Sequence, residues 1–237
     1  MTTSLVEATS RIEAISHAEA IVGQGALPAI QPMAYASCYV YSPAGAGSVC
    51  ESSRLLRDLL KSADVTFMLK YAARVRQQAM DCPHLAGFFA ADDVLVPVPG
   101  SSPVERRCSW VAAELAVALV NAGLGCAAWP GLRRVRAVPR SATAPPGERP
   151  SVSLHYDSFG IEDSPMPPGR IILIDDVVTK GRTLLAAATR VREAFPNVKI
   201  RAFALVRTLG GVSGLRHLLE PCKGQIRWRE GDAYRFP

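Results

Sequence analysis

The chain has 237 residues, 49% hydrophobic and 20% charged, so it can bury a sizeable core without a disulfide or metal staple. Its net charge of +6 suits an anionic partner, although many globular proteins are mildly basic. The six cysteines form no C-x-x-C pair and no apolar run reaches ~18 residues, which argues against a zinc ribbon and a membrane-spanning helix. Because the N-terminus lacks a signal-peptide pattern, we expect a cytoplasmic protein.

The first third of the chain shows mainly helical patterns. Apolar spacing predicts a helix over residues 5–22, and a short strand is expected at 36–41. Two amphipathic helices are predicted at 51–61 and 67–79, with Asp64 as a cap between them.

After residue 90 the pattern changes to short aliphatic strands that alternate with helices. Each of two groups reads strand, helix, strand, at residues 92–100, 109–121 and 124–129 and again at 171–174, 183–195 and 200–206. This alternation predicts an α/β fold with a parallel sheet covered on both faces. Ligands of such sheets bind at the carboxyl ends of the strands.

A basic stretch, WPGLRRVRAVPRSATAPPGERP (129–150), separates the two groups. It holds five arginines and five prolines, so we interpret it as a mobile loop. Its composition fits a solvated linker as well as a functional loop that covers a site.

The stretch IILIDDVVTKGRT (171–183) carries the clearest chemistry. Paired carboxylates at a strand end can accept hydrogen bonds from a diol or hold hydrated magnesium. The glycine, threonines and cations that follow, at a helix start, form an anion site. A ribose 5-phosphate presents both groups, a diol and a phosphate. A strand–turn–helix corner with a capping carboxylate explains one aspartate and one threonine but not the whole set, and the Walker and Rossmann glycine patterns are missing.

This stretch resembles the phosphoribosyl pyrophosphate (PRPP) motif of type I phosphoribosyltransferases. Together with LKYAAR (69–74), VLVPVPGSSPVERR (94–107) and GERPSVSLHYDSF (147–159), it resembles the competence-protein ComF family over roughly residues 65–208. The resemblance implies a Rossmann-like type I phosphoribosyltransferase fold with a small variable hood. It divides the chain into a helical extension or hood (1–65), a core (66–208) and a C-terminal tail (209–237).

The resemblance also implies residue roles. Asp175 and Asp176 would contact the ribose hydroxyls and hold Mg²⁺ through water, while Arg133 and Arg134, in the basic stretch, would neutralise the departing pyrophosphate. The remaining substrate-binding residues fall into a pyrophosphate loop after the first strand and the PRPP motif itself, namely Val98, Pro99, Gly100, Ser101, Val177, Val178, Thr179, Lys180, Gly181, Arg182 and Thr183.

Some residues depart from the family pattern. Cys38 and Cys50 are twelve positions apart, so the cysteine-rich zinc module usual in ComF-type proteins is lost or replaced. Lys180 fills the second place of a loop that is often T-T-G-x-T, which adds a cation beside the phosphate. Purine-salvage members carry an acid where Thr179 stands, so its absence argues against purine salvage.

The expected function is therefore a Mg²⁺-dependent phosphoribosyltransferase, in which a nitrogen nucleophile displaces pyrophosphate from ribose C1. The alternative is a non-catalytic protein that binds PRPP or a nucleotide, for regulation or DNA uptake. The expected ligand is PRPP or a ribose 5-phosphate nucleotide, and a homodimer is compatible with the superfamily. Nucleic acid is a less favoured partner because few aromatics accompany the basic residues, and no membrane partner is expected.

Overall fold

The computed structural model describes residues 27–103, 110–140, 145, 148–162, 169–210 and 215–237. The predicted helix over residues 5–22 lies outside these ranges. In chain order the elements are β1 (Met33–Tyr41), α1 (Ser48–Lys61), α2 (Val65–Asp81), β2 (Val94–Pro97), α3 (Val111–Asn121), β3 (Ala127–Ala128), β4 (Leu132–Arg134), α4 (Val152–Asp157), β5 (Phe159–Ile161), β6 (Arg170–Val178), α5 (Arg182–Ala194), β7 (Lys199–Thr208), β8 (Leu219–Arg229) and β9 (Asp232–Phe236).

A seven-stranded sheet in the order β3-β2-β6-β7-β1-β8-β9 forms the centre of the structure. The neighbouring strands from β3 to β1 are all parallel, whereas β8 pairs antiparallel with β1 and β9 pairs antiparallel with β8. The predicted α/β class with a mostly parallel sheet is confirmed. The finer assignment to the phosphoribosyltransferase fold stays a prediction.

Two apolar cores cover the sheet, one on each face. Ile171 and Leu173 of β6 lie in the core shared with α4, α5 and the small β4–β5 sheet. Ile172 and Ile174 lie in the core shared with α1, α2 and α3. Side chains of a strand alternate between faces, so the continuous aliphatic run of β6 follows from burial on both sides.

The predicted amphipathic helices are confirmed as α1 and α2, each a few residues longer than its apolar pattern. Asp64 caps α2 as predicted, since its carboxylate accepts a hydrogen bond of 2.7 Å from the Phe67 N–H. None of the helices in the described ranges combines the length and apolar character needed to cross a membrane.

The basic stretch is not entirely a loop. Residues Leu132–Arg134 form β4, which pairs antiparallel with β5. Leu132 is fully buried and Arg134 is 3% exposed, while Arg133 between them lies partly exposed. The loop prediction is wrong for these three residues. It assumed that both arginine side chains are exposed to solvent, whereas Arg134 is buried and hydrogen-bonded to the protein.

The C-terminal segment forms a β-hairpin over residues 219–236. A two-residue turn, Glu230 and Gly231, joins β8 to β9, and both residues have positive φ (51° and 79°). β8 then pairs with β1, which itself lies beside β7. The sheet therefore takes strands from all three segments into which the sequence analysis divides the chain.

Candidate functional site

The PRPP-like stretch spans the end of β6, a short turn and the start of α5. β6 is longer than its aliphatic run and includes both aspartates, with Asp175 in register with Ala204 of β7. Gly181 is the N-cap of α5, with a left-handed φ of 87°. Because carboxylates, turn and helix start follow one another in the sequence, the paired aspartates and the turn lie together at the carboxyl end of one central strand.

The two carboxylates fold back onto their own strand. The Oδ1 atom of Asp175 accepts a hydrogen bond from the Asp176 N–H (2.9 Å), and the Oδ1 atom of Asp176 accepts one from the Val177 N–H (2.7 Å). Burial, and then the negative charge of Asp176, raise the pKa of the Asp175 carboxyl well above its usual range. The pair therefore favours a ligand that brings hydroxyl donors or a cation.

A lysine from the N-terminal segment forms an ion pair with one of these two aspartates. Lys61, the last residue of α1, forms an ion pair with the Oδ2 atom of Asp176. The ammonium group stays half-exposed while the carboxylate is nearly buried. The sequence contains no signal for this contact, because 115 residues separate the partners.

The turn before α5 is closely packed. A Cβ atom on Gly181 would lie 2.7 Å from the Cδ1 atom of Ile226 on β8, so only glycine fits between the turn and the hairpin. Thr179 shares a hydrogen bond of 3.0 Å with the hydroxyl of Thr208, at the end of β7. These contacts hold the turn in place at the N-terminus of α5, the part of a helix that can bind an anion.

The β8–β9 hairpin contacts both ends of this turn. Asp232 accepts hydrogen bonds from Lys180 Nζ (2.8 Å) and from Arg182 Nε and Nη2 (2.5 and 2.7 Å). Arg235 donates to the Thr179 carbonyl (2.9 Å). Asp232 was not among the predicted site residues, although polar and apolar residues alternate on both sides of Glu230-Gly231, a pattern typical of a β-hairpin.

In the predicted pyrophosphate loop, residues 98–101, the backbone carbonyl oxygens accept hydrogen bonds from other parts of the protein. The carbonyls of Val98, Pro99, Gly100 and Ser101 accept hydrogen bonds from Trp110 Nε1 (3.0 Å), Arg134 Nη2 (3.3 Å), Arg134 Nε (2.8 Å) and the Val138 N–H (2.7 Å), respectively. The Val98 N–H donates to the Ile174 carbonyl (2.8 Å) and Pro99 has no N–H, so the backbone donors that this loop would offer an anion are the N–H groups of Gly100 and Ser101.

The two arginines predicted to act on pyrophosphate occupy different environments. Arg134 also donates to the Ser158 hydroxyl and lies over the Phe159 ring, 4.0 Å from its centroid. Burial lowers the pKa of its guanidinium to about 10. Arg133, on the other face of β4, pairs with Glu162 at 2.6 Å. Arg134 is placed to hold the pyrophosphate loop, and a catalytic role for either arginine stays a prediction.

His155 connects the two loops. Its Nδ1 atom lies 3.4 Å from Arg134 Nη1, and its Nε2 atom lies 3.3 Å from the Thr183 hydroxyl. An arginine can only donate, so Nδ1 accepts and the Nε2–H group donates to Thr183. The Thr183 hydroxyl then keeps its own proton for a ligand. A chain of hydrogen bonds thus joins Gly100, Arg134, His155 and Thr183.

Replacing His155 with glutamine should make stability less sensitive to acid. Burial, followed by the charges of Arg134 and Arg182, lowers the pKa of His155 from 6.5 to about 3. Between these values the unfolded chain binds the extra proton, so stability falls as the pH is lowered, by up to about 1 kcal/mol per pH unit. The check is urea unfolding from pH 7 to 4.5.

The matched control for this prediction is His84→Gln, because His84 is exposed. His84→Gln should keep the pH dependence of the wild type. Equal slopes for the wild type and His155→Gln would contradict the assignment of a buried, neutral imidazole.

The acidic pair also suits a divalent cation. Carboxylate oxygens are ligands that Mg²⁺ prefers, and a cation would relieve the repulsion between Asp175 and Asp176. Nowhere in the described part of the chain, this pair included, do three or more His, Cys, Asp or Glu side chains gather into a metal-binding group. The residues that would hold Mg²⁺ are Asp175 and Asp176, with water as further ligands and Lys61 as a competitor for Asp176.

Comparisons with known proteins give little beyond this geometry. No protein-family model matches the chain, and no curated protein is significantly similar to it. Among solved structures, it is similar to adenine phosphoribosyltransferase from Leishmania donovani, with 16% identity over 77% of this chain and 85% of that chain. The TM-score of 0.24 is too low to establish a common fold. The function of this chain must therefore be argued from its own residues.

Proposed function

We propose that the protein binds PRPP and transfers its phosphoribosyl group to a nitrogen nucleophile. One observation carries this proposal: at the end of β6 an acidic pair lies next to a turn that carries two cations and leads into the N-terminus of α5. That the second site accepts an anion is supported by Asp232, whose carboxylate bonds to both Lys180 and Arg182. A ribose 5-phosphate has a diol for the first site and a phosphate for the second.

In the proposed complex, Asp175 and Asp176 accept hydrogen bonds from the ribose hydroxyls. The turn from Thr179 to Thr183 receives the 5-phosphate, and the N–H groups of Gly100 and Ser101 face the pyrophosphate. The bond from C1 to the pyrophosphate oxygen breaks as the nitrogen lone pair forms the new bond to C1. The nearby carboxylates stabilise the positive charge that develops on the ribose in the transition state.

Mg²⁺, when bound, would neutralise the leaving pyrophosphate. The protein contributes orientation and charge instead of a covalent intermediate. Since Arg134 is engaged with the protein, its contribution is to fix the loop of residues 98–101, which presents N–H groups to the leaving group.

A non-catalytic PRPP or nucleotide sensor is the second candidate. It is favoured by the positions of the two arginines, since Arg134 is buried among carbonyl groups and Arg133 pairs with Glu162. A binder needs the diol and phosphate contacts but not a cation that neutralises the departing pyrophosphate.

The test is to incubate the protein with PRPP, Mg²⁺ and a panel of nucleobases and amines, and to measure pyrophosphate release. The double variant Asp175→Asn, Asp176→Asn should lower turnover by at least about 100-fold, because it removes the charge that stabilises the transition state. It should remain folded, since burial already disfavours the charge on Asp175 and the Lys61 ammonium that loses its partner at Asp176 is half-exposed to water. Circular dichroism checks the fold.

Asp92→Asn is the matched control, because Asp92 is an exposed aspartate two residues before β2, another strand of the same sheet. Its turnover should equal that of the wild type. Binding of PRPP without pyrophosphate release on any acceptor would favour the sensor. Absence of binding to PRPP and to ribose 5-phosphate would contradict both functions.

A further inference from the structure

The cations of the anion site already have a partner within the chain. Asp232 uses both carboxylate oxygens: Oδ1 bonds to Arg182 Nε (2.5 Å), and Oδ2 bonds to Arg182 Nη2 (2.7 Å) and Lys180 Nζ (2.8 Å). These donors are the side-chain cations that a phosphate in the turn would meet. The contact lowers the pKa of Asp232 far below its usual range, chiefly through Arg182, so the group is a carboxylate at neutral pH.

We propose that Asp232 competes with the ligand phosphate for Lys180 and Arg182, and thereby sets the affinity of the site for phosphate. This inference depends on the proposed function, because it takes the turn from Thr179 to Thr183 as the phosphate site. In the unliganded protein the carboxylate holds the two cations. A bound phosphate takes them over, and the carboxylate turns toward solvent.

The position of Asp232 suits displacement. It is the first residue of β9, directly after the two-residue turn, and β9 is the edge strand of the sheet. The Lys180 side chain is 52% exposed, so water and ligand can reach its ion pair from outside, whereas Arg182 and Asp232 are 22% and 17% exposed. Such partly exposed pairs are weak compared with buried ones, and a carboxylate released from them regains its hydration.

Charge decides which ligand displaces the carboxylate. Lys180 and Arg182 carry two positive charges, and Asp232 neutralises one of them. A terminal phosphate monoester carries nearly two negative charges at neutral pH, whereas a phosphodiester carries only one. A phosphate dianion interacts more favourably with the two cations than the Asp232 carboxylate does. A phosphate monoanion interacts with them about as favourably as the carboxylate. A terminal phosphate, such as a 5-phosphate, should therefore displace Asp232 more readily than a phosphodiester does.

A purely structural role for Asp232 predicts the opposite result. If its ion pairs only anchor the hairpin to the turn, their removal should loosen the turn and weaken phosphate binding. The two roles are distinguished by the sign of the change in affinity.

The experiment measures binding of ribose 5-phosphate, its methyl phosphodiester and PRPP to the full chain by calorimetry. We expect Asp232→Asn to tighten ribose 5-phosphate binding about tenfold, since the amide leaves both cations without a competing anion. The methyl diester should gain by no more than this factor, because displacing Asp232 from the cations costs the same free energy whichever ligand does it. Glu230→Gln is the matched control, because Glu230 lies in the same turn and pairs only with exposed Arg229 in the described structure.

Three outcomes have definite meanings. Tighter binding by Asp232→Asn but not by Glu230→Gln supports the competition, including the case in which only the variant binds. Unchanged or weaker binding by Asp232→Asn overturns it while leaving the proposed function intact. If neither protein binds ribose 5-phosphate or PRPP, both proposals fail.

A measurement on the wild type covers the case in which Asp232→Asn does not fold. Saturation with ribose 5-phosphate should shift the carboxyl ¹³C resonance of Asp232 toward that of a solvated aspartate. An unchanged resonance in the presence of bound ligand would overturn the competition.

Discussion

Replacing Arg134 with methionine should lower the free energy of unfolding by about 3 kcal/mol and weaken PRPP binding. Methionine fills much of the volume but cannot donate hydrogen bonds. The Pro99 and Gly100 carbonyls and the Ser158 hydroxyl would then lose a buried donor. Urea unfolding measures the stability change, and calorimetry with PRPP measures the change in affinity.

Arg133→Met is the matched control for this prediction. Arg133 is the preceding residue on β4, but its ion pair with Glu162 is partly exposed, so its loss should cost at most about 1 kcal/mol. Equal destabilisation by the two variants would contradict the anchoring role of Arg134. If Arg133→Met alone lowered pyrophosphate release, Arg133 would be the arginine that acts on the leaving group.

Gly181→Ala should destabilise the protein by about 3 kcal/mol and lower affinity for ribose 5-phosphate. Alanine is strained at a φ of 87°, and its Cβ atom would lie 2.7 Å from the Ile226 side chain. To fit, the turn must move away from β8, which displaces the N–H groups at the start of α5. Thermal unfolding and ligand titration detect the two effects.

Two further variants separate strain from crowding. Gly87→Ala introduces a side chain at a φ of 65° with nothing within 4 Å, so it should cost only the backbone strain, about 1 kcal/mol. Combining Gly181→Ala with Ile226→Ala removes the crowding, so the double variant should be more stable than the sum of the single changes predicts. Strict additivity would show that Ile226 does not confine the turn.

The main elements could be predicted because their signals are local. The aliphatic runs of β2, β6 and β7 follow from burial on both faces, and the apolar spacing of α1, α2 and α3 follows from burial on one side. In α5 every residue from Leu184 to Val191 is buried, so its small and apolar residues lie on all sides of the helix. The stretch from Asp175 to Thr183 combines carboxylates, a turn and a helix start within nine consecutive residues. This part of the candidate site can therefore be predicted from the sequence alone.

The remaining parts of the site depend on contacts between distant residues. Lys61 meets Asp176 because α1 packs across the sheet, and Asp232 meets Arg182 because the hairpin folds beside α5. Arg134 looked like a solvated cation because composition cannot show that Pro99, Gly100 and Ser158 surround it. Such partners are chosen by tertiary packing, which leaves no periodic signal.

The place of β1 in the sheet has a consequence for how the protein folds. β1 lies between β7 and β8, and Tyr35 accepts a hydrogen bond of 2.8 Å from Arg235, 200 residues away. Pairings between residues this far apart in the sequence form late, because a large loop must close before their contacts can stabilise the fold. The turn that would hold the phosphate is secured by the same hairpin, through Ile226 and Asp232. The centre of the sheet and the ligand site should therefore be completed in one late, cooperative step, and refolding rate and recovery of binding should follow the same time course.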